Sequence, residues 1–357
     1  MRTRTAILVA LLVAASLSPT TALAQGDANC SYPVERTDAT GALVAVTEES
    51  ERVVTLNPSA AQTMREIGAW DKMVGATKHA SNLEGFDELE WNVSGSGQTI
   101  SNERVIGAQP DLVLAPNTVQ NDTVRALRDA GLTIYRFHEA TSIADVQAKT
   151  RLIGRFVGEC DGAAKTVEWI DERLAVVDEA TADAERPSAI YVFFGYTAGE
   201  GTFIDGLIER AGADNLAAEV GIQSYKPVSD EILVNNTVDW LILNTDWTTV
   251  PNNAAYNSTR AVQEGQIVTV NTNHLNRPAP RVVLAIETMV EAFHPEAYAA
   301  ANRTATPTSS ATLTPEEGQP TPTERATAAT TSGADGPGFG VIMTAVAIIV
   351  LGVARRI

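Results

Sequence analysis

Short β-branched runs alternate with amphipathic segments between residues 52 and 116. RVVTL predicts a strand, and NPSAAQTMREIG after it predicts a helix with Asn57 as N-cap and Gly68 at its end. MVGAT and PDLVLAP predict two further strands, and SNERVIGAQP between them predicts a short helix capped by Ser101 or Asn102. This β-α-β-α-β order with short connections predicts a parallel sheet covered by helices on both faces.

The same pattern begins again after residue 187. SAIYVFF, VDWLILNT and GQIVTVNT predict strands, whereas TFIDGLIERAG, SDEILVNN and APRVVLAIETMVEAF predict helices. The unit SDEILVNNTVDWLILNT repeats the plan of SNERVIGAQPDLVLAP, with a serine cap, an acidic residue two positions later and a strand opened by aspartate. Between the halves, GAAKTVEWIDERLAVVDEATADAE predicts a helix of about twenty residues, because it has no proline or interior glycine.

These patterns predict an α/β protein of two lobes joined by one long backbone helix. Each lobe has a mainly parallel sheet flanked by helices. Because such sheets bind ligands at the carboxyl ends of their strands, the ligand cleft is expected between the lobes. In the first lobe these ends lie at residues 57–59, 78–79 and 116–117.

The N-terminus is typical of a secretory signal peptide. MRTRT precedes an apolar run that is too short to span a bilayer, and an A-x-A site comes before Gln25. An N-terminal membrane helix is the alternative. The protein is therefore expected outside the cell.

The C-terminal stretch predicts a stalk and an anchor. Residues 301–336 are rich in Thr, Ala, Pro and Ser without an apolar period, which predicts disorder. The motif PGF at 337–339, an apolar run and Arg355-Arg356 follow. This order resembles the tripartite PGF sorting signal of archaeal surface proteins, which implies removal of the helix and attachment of a lipid anchor. A plain C-terminal membrane helix is the alternative.

The predicted organisation has six parts. They are a signal peptide at 1–24, an N-terminal lobe at 25–160, a connecting helix at 161–186, a C-terminal lobe at 187–300, a stalk at 301–336 and the anchor segment at 337–357.

The charge of the chain limits its partners. The formal net charge is −18, and acidic groups are spread throughout the chain. This distribution predicts the solvated surface of a halophilic protein and argues against nucleic acid as a partner. Together with the resemblance to an archaeal sorting signal, it predicts a halophilic archaeon as the source.

The two cysteines, Cys30 and Cys160, predict a disulfide in an extracellular protein. Closing a loop of this length contributes about 4–5 kcal/mol in the chain-entropy model. Two buried unpaired thiols are the alternative.

Taken together, these segments resemble the helical-backbone class of substrate-binding proteins of ABC importers, which capture cobalamin, ferric siderophores or haem. The resemblance covers about residues 40–295 and depends on RVVTLNPSAAQTMREIG, NERVIGAQPDLVLAP, FFGYTAGEGTFIDGLIERAG, SDEILV and RPAPRVVLAIETM as a set. It implies a monomer without a cofactor of its own, whose partners are a small metal chelate and separate permease and ATPase chains.

The resemblance also implies two docking residues. In that class a glutamate from each lobe engages arginines of the permease, and Glu103 and Glu231 occupy the matching places in SNER and SDEI. The alternative is an acidic residue favoured by the helix dipole.

The loops after the strands should line the cleft. The candidates for ligand binding are His79, Asn117, Tyr196, Tyr225, Trp247 and His274. Cobalamin binders of this class tend to have tryptophan at the positions of Gly97, Pro116 and His274 and tyrosine at the position of His79. At the position of Tyr225 this chain keeps the aromatic residue. Phe194 is assigned to core packing.

We therefore predict the solute-binding component of an ABC importer, anchored to the cell surface membrane, with a corrinoid as the favoured ligand. A ferric siderophore or haem is the alternative. A free-metal binder, with His79 and His274 as ligands, lacks a supporting cluster of histidine and cysteine. A surface enzyme is a further alternative, but we find no GxSxG, P-loop or HExxH motif, and no enzyme activity is predicted.

Overall fold

The computed structural model describes residues 30–97 and 99–305. The predicted signal peptide, the anchor segment and the stalk beyond residue 305 lie outside these residues. None of the described helices combines the length and apolar character needed to cross a membrane.

The first lobe contains an antiparallel hairpin, a parallel sheet and three helices. The hairpin consists of β1 (Val34–Thr37) and β2 (Leu43–Val46). The sheet has the order β5-β4-β3-β6-β7, with β3 (Val53–Thr55), β4 (Met73–Ala76), β5 (Trp91–Asn92), β6 (Leu112–Ala115) and β7 (Ile134–Arg136). The helices are α1 (Pro58–Glu66), α2 (Asn102–Gly107) and α3 (Asn121–Asp129).

The sheet of the first lobe is buried on both faces. Leu112 and Leu114 of β6 pack with the core beneath α1, whereas Val113 and Ala115 pack with the opposite core beside α3. Successive strand residues point to opposite faces, so a strand that is apolar throughout must be covered on both sides.

Two helices join the lobes, α4 (Ile143–Phe156) and α5 (Cys160–Thr181). The 22 residues of α5 span roughly 33 Å. Ala163 near its start packs in the first lobe, whereas Val177 near its end packs in the second lobe. The first half of α4 likewise contributes Val146 to the second lobe. The sequence analysis placed this helix in the first lobe alone, but the structure makes it a second bridge beside the predicted backbone helix.

The second lobe contains a four-stranded parallel sheet, a hairpin and eight described helices. The sheet has the order β10-β8-β12-β13, and the hairpin pairs β9 with β11. The strands are β8 (Ser188–Tyr191), β9 (Tyr196–Ala198), β10 (Asp214–Asn215), β11 (Tyr225–Pro227), β12 (Trp240–Asn244) and β13 (Ile267–Val270). The helices are α6 (Phe203–Arg210), α7 (Leu216–Glu219), α8 (Asp230–Asn235), α9 (Ala254–Asn257), α10 (Arg260–Glu264), α11 (Thr272–Leu275), α12 (Val282–Phe293) and α13 (Pro295–Thr304).

The internal repetition predicted from the sequence is present in the topology. Helix α2 leads into β6, which lies between β3 and β7, and α8 leads into β12, which lies between β8 and β13. Ser101 and Ser229 cap these helices by accepting hydrogen bonds from the backbone N–H three residues later. The two hairpins were not predicted, and α13 runs four residues past the expected lobe boundary at residue 300.

The predicted disulfide between Cys30 and Cys160 is formed, with 5.6 Å between the two Cα atoms. Because Cys160 is the first residue of α5, the bond attaches the N-terminal segment to a bridging helix.

Candidate ligand-binding cleft

The lobes contact each other through a polar seam, formed by α1 and residues 78–82 of the first lobe and residues 272–281 of the second. The guanidinium of Arg277 donates to the carbonyl of His79 and to Oδ1 of Asn82, each at 2.9 Å. This seam lies at the carboxyl ends of the strands, because α1 follows β3 and α11 follows β13.

A buried ion pair strengthens the interlobe seam. Arg281 Nε donates to Glu66 Oε1 at 2.6 Å, and the two side chains are 9% and 2% exposed. Gln62 accepts from the backbone N–H of Arg281 at 3.2 Å. Removing one partner from a buried pair costs about 3–5 kcal/mol, so these contacts restrain separation of the lobes.

An aromatic surface lies where β8 and β12 of the second lobe end. The rings of Phe194 and Trp247 have centroids 4.5 Å apart, and Phe193 contacts Phe194 edge-on at the same distance. Phe194 is 39% exposed and its backbone has a φ of 48°, a left-handed conformation that is uncommon for a bulky residue. The assignment of Phe194 to core packing was wrong, because its ring is exposed next to a left-handed stretch of backbone at Phe194 and Gly195.

The hairpin β9–β11 extends this surface with two tyrosines. Tyr225 lies opposite Ala198 and Tyr196 lies opposite Pro227. Tyr225 is 48% exposed, yet burial raises its pKa and the nearby carboxylate of Glu139 raises it further. A side chain that is exposed but surrounded by protein is typical of a cleft wall.

The first lobe contributes polar groups. His79 is exposed, and its carbonyl is held by the interlobe seam. Asn117 is half-buried, and its carbonyl accepts from the guanidinium of Arg136 at the end of β7. Lys78 donates to the carbonyl of Gly97 at 3.1 Å, which fixes the loop after β5.

His79 and His274 flank the interlobe seam from opposite lobes. His274 is half-buried within α11, three residues before Arg277. Within residues 30–97 and 99–305, no group of three or more His, Cys, Asp or Glu side chains is placed to hold a metal ion.

Comparison with known proteins identifies the family. A family model described as periplasmic binding protein matches residues 53–273, which include both sheets and the bridging helices. The chain belongs to the periplasmic binding protein family.

This binding protein is 40% identical over 312 residues to a cobalamin-binding protein of Halobacterium salinarum, with 82% of this chain and 85% of that protein covered. It is 26% identical to an uncharacterised ABC transporter substrate-binding lipoprotein of Bacillus subtilis, covering 75% of this chain and 87% of the relative.

Solved structures share the fold of this binding protein. A periplasmic heme-binding protein from Roseiflexus in apo form gives a TM-score of 0.62 at 22% identity, with 70% of this chain and 99% of that chain covered. Helicobacter pylori CeuE with nickel and histidine gives a TM-score of 0.66 at 19% identity, with coverage of 77% and 92%.

The matching helices α2 and α8 of this binding protein present similar surfaces. Glu103 and Glu231 are exposed in the first turn of each helix. Three residues later, each helix exposes a large aliphatic side chain, Ile106 in α2 and Val234 in α8. The sequence analysis noted the glutamates but missed these apolar neighbours, which the spacing E-x-x-I and E-x-x-V could have revealed.

Proposed function

We propose that this protein is the extracellular solute-binding component of an ABC importer and that it captures a corrinoid between its lobes. The observation that carries the proposal is the 40% identity to a cobalamin-binding protein over most of both chains. At that level of identity, the lobes and the loops between them are expected to be closely similar.

The cleft walls suit such a ligand. A corrinoid is a large ring with apolar faces and an amide-rich edge, and aromatic side chains pack well against such faces. Phe194, Trp247 and Tyr225 supply ring surface from the second lobe. The indole N–H of Trp247 is buried behind this surface and has no hydrogen-bond partner among the described residues.

Haem or a ferric siderophore is the second candidate. The observation in its favour is the placement of His79 and His274 on opposite sides of the interlobe seam. Tyr225 of the hairpin β9–β11 is also exposed. Imidazole and phenolate groups are axial ligands of haem iron in proteins.

We propose that Glu103 and Glu231 dock the protein onto its permease. The support is the repetition of one surface, an exposed glutamate followed by an exposed aliphatic residue, at equivalent places in two lobes. Such a pair suits a partner with two similar sites, each combining a basic group with an apolar contact. The bridging helices and the buried Arg281–Glu66 pair limit lobe motion, so we expect small changes on ligand binding.

We also propose that the protein is exported and held at the cell surface through its C-terminal segment. The support is the order of PGF, apolar run and basic end at 337–357. Mass spectrometry of the protein from cell membranes tests this, because a lipid in place of the apolar run changes the mass of the C-terminal peptide.

The ligand proposal is tested by titrating the full-length protein, purified in high salt, with cobalamin, haem and a ferric hydroxamate, and following tryptophan fluorescence. Saturable binding of cobalamin with a submicromolar Kd and no response to the other two supports the corrinoid. Binding of haem or the hydroxamate without cobalamin overturns it.

A further inference from the structure

Lys149 occupies an unusual position at the junction of the lobes. It belongs to the bridging helix α4, and its ammonium donates to Ser59 Oγ of the first lobe at 2.8 Å and to the carbonyl of Pro278 in the second lobe. The same ammonium lies 5.9 Å from the ring centre of Phe137, directly after β7. All three neighbours lie at the cleft side of their lobes, so the ammonium marks the base of the cleft.

The charge of Lys149 is not neutralised by the protein. Among the described residues no carboxylate forms an ion pair with it, although the chain has a formal net charge of −18. Lys72, which also joins separate segments, pairs with Glu49 and Glu51. Both protein acceptors of Lys149 are neutral oxygens, and Ser59 lies in the first turn of α1, where the helix dipole disfavours a cation.

This arrangement has a cost in the free protein. Burial lowers the pKa of Lys149 to about 7, because surrounding protein disfavours the charged form. A lysine that served only to join the lobes would be better placed beside a carboxylate, as Arg281 is beside Glu66.

The ammonium of Lys149 has one N–H group that no acceptor among the described residues uses. Lys149 as a residue is half-buried. Its hydrogen bonds to Ser59 and Pro278 use two of its three N–H groups. The third N–H is thus left for a group that enters the cleft.

From this geometry we infer that Lys149 is an anion-binding residue at the base of the cleft, which pairs with a negatively charged group of the transported ligand. The inference builds on the proposed function and narrows it, because it requires a ligand that carries a phosphodiester or a carboxylate. A charge-assisted hydrogen bond of this kind contributes roughly 10- to 100-fold in affinity.

Two corrinoids distinguish an anion-binding role of Lys149 from one in which its side chain only contacts the corrin ring. Cobalamin carries a phosphodiester between its corrin ring and its nucleotide, whereas cobinamide has the same ring and lacks the phosphate. The wild-type protein is expected to bind cobalamin more tightly than cobinamide, and Lys149 is expected to produce much of that difference.

The test compares full-length Lys149→Met, Lys149→Arg and Lys165→Met by calorimetric titration with both corrinoids in high salt. Lys165 is exposed on α5, so its replacement removes the same charge away from the cleft. The affinity of Lys149→Met for cobalamin should be about 10- to 100-fold lower than that of the wild type, whereas its affinity for cobinamide should change little. Lys149→Arg should keep most of the preference for cobalamin over cobinamide. Lys165→Met should bind both corrinoids with the affinities of the wild type.

The inference would be overturned if Lys149→Met lost the same affinity for both corrinoids, or lost affinity for neither. Melting curves of the free variants check folding. We expect Lys149→Met to melt within a few degrees of the wild type, because removal of an unpaired charge offsets the loss of two hydrogen bonds to neutral oxygens. If the wild type binds neither corrinoid, the proposed ligand is wrong. Lys149 is then tested with haem, whose two carboxylates supply the anion, and an unchanged haem affinity in Lys149→Met would reject the role.

Discussion

The buried ion pair between the lobes gives a sharp prediction for Arg281→Met. The substitution removes the guanidinium that donates to Glu66 at 2.6 Å and leaves that carboxylate, 2% exposed, without this donor. Loss of one partner from a buried pair costs about 3–5 kcal/mol. At about 2 °C for each kcal/mol in a protein of this size, the melting temperature should fall by roughly 6–10 °C.

The matched control is Arg210→Met, which breaks an ion pair of nearly the same length on the surface. Arg210 lies 2.7 Å from Asp178, but these side chains are 40% and 54% exposed. Because water and salt screen such a pair, its loss should cost less than about 1 kcal/mol.

Calorimetric melting curves and urea unfolding of the free protein provide the assay. The double variant Glu66→Leu with Arg281→Met should recover most of the stability, since it removes both charges of this ion pair. If Arg281→Met and Arg210→Met cost the same, or if the double variant is no better than Arg281→Met, burial does not control the strength of the interlobe pair.

Four further outcomes are expected. Trp247→Ala should weaken ligand binding about 10- to 100-fold while leaving the melting temperature of the free protein within a few degrees, as fluorescence titration and melting curves can show. Replacing Glu103 and Glu231 with Ala should leave the ligand Kd unchanged and impair uptake by cells; a collapse in affinity would contradict docking. Cys30→Ala should destabilise the protein by about 5 kcal/mol, and a reductant should lower the stability of the wild type but not of the variant. Burial opposes ionisation of Asp38, but hydrogen bonds to its carboxylate outweigh burial and lower its pKa from 3.8. Its stabilisation is therefore present above about pH 4 and lost as pH falls through the lowered value, so the urea midpoints of wild type and Asp38→Asn should converge in acid; a constant difference would refute this.

Several elements could be predicted because their determinants are local. Asn57 caps α1 through the backbone N–H of Ala60, and Gly68 takes the positive φ that ends this helix segment. Ser101 and Ser229 cap the paired helices α2 and α8. Each of these features depends on residues within a few positions of one another, so its chemistry is visible in the printed sequence.

Other features of the cleft depend on contacts between distant segments. Val146 packs in the second lobe because α4 lies beside α5, and no periodicity within α4 indicates which core it meets. The exposure of Phe194 follows from a left-handed backbone, which a phenylalanine seldom adopts and a sequence pattern does not predict. The contact of Lys149 with Pro278 joins residues 129 positions apart.

The main strands of the two parallel sheets, the duplication of the lobes, the long helix α5 and the cysteine pair were determined by the sequence alone, since hydrophobic period, capping residues and composition act over short distances. The two hairpins and the bridging role of α4 were not. The tertiary structure decided which side chains face the cleft, how the lobes are tied together and where an unpaired cation lies. These three features depend on contacts between segments far apart in the chain. The free energy of each contact is set by how deeply the side chain is buried and by the charges around it, and residue type alone does not determine either.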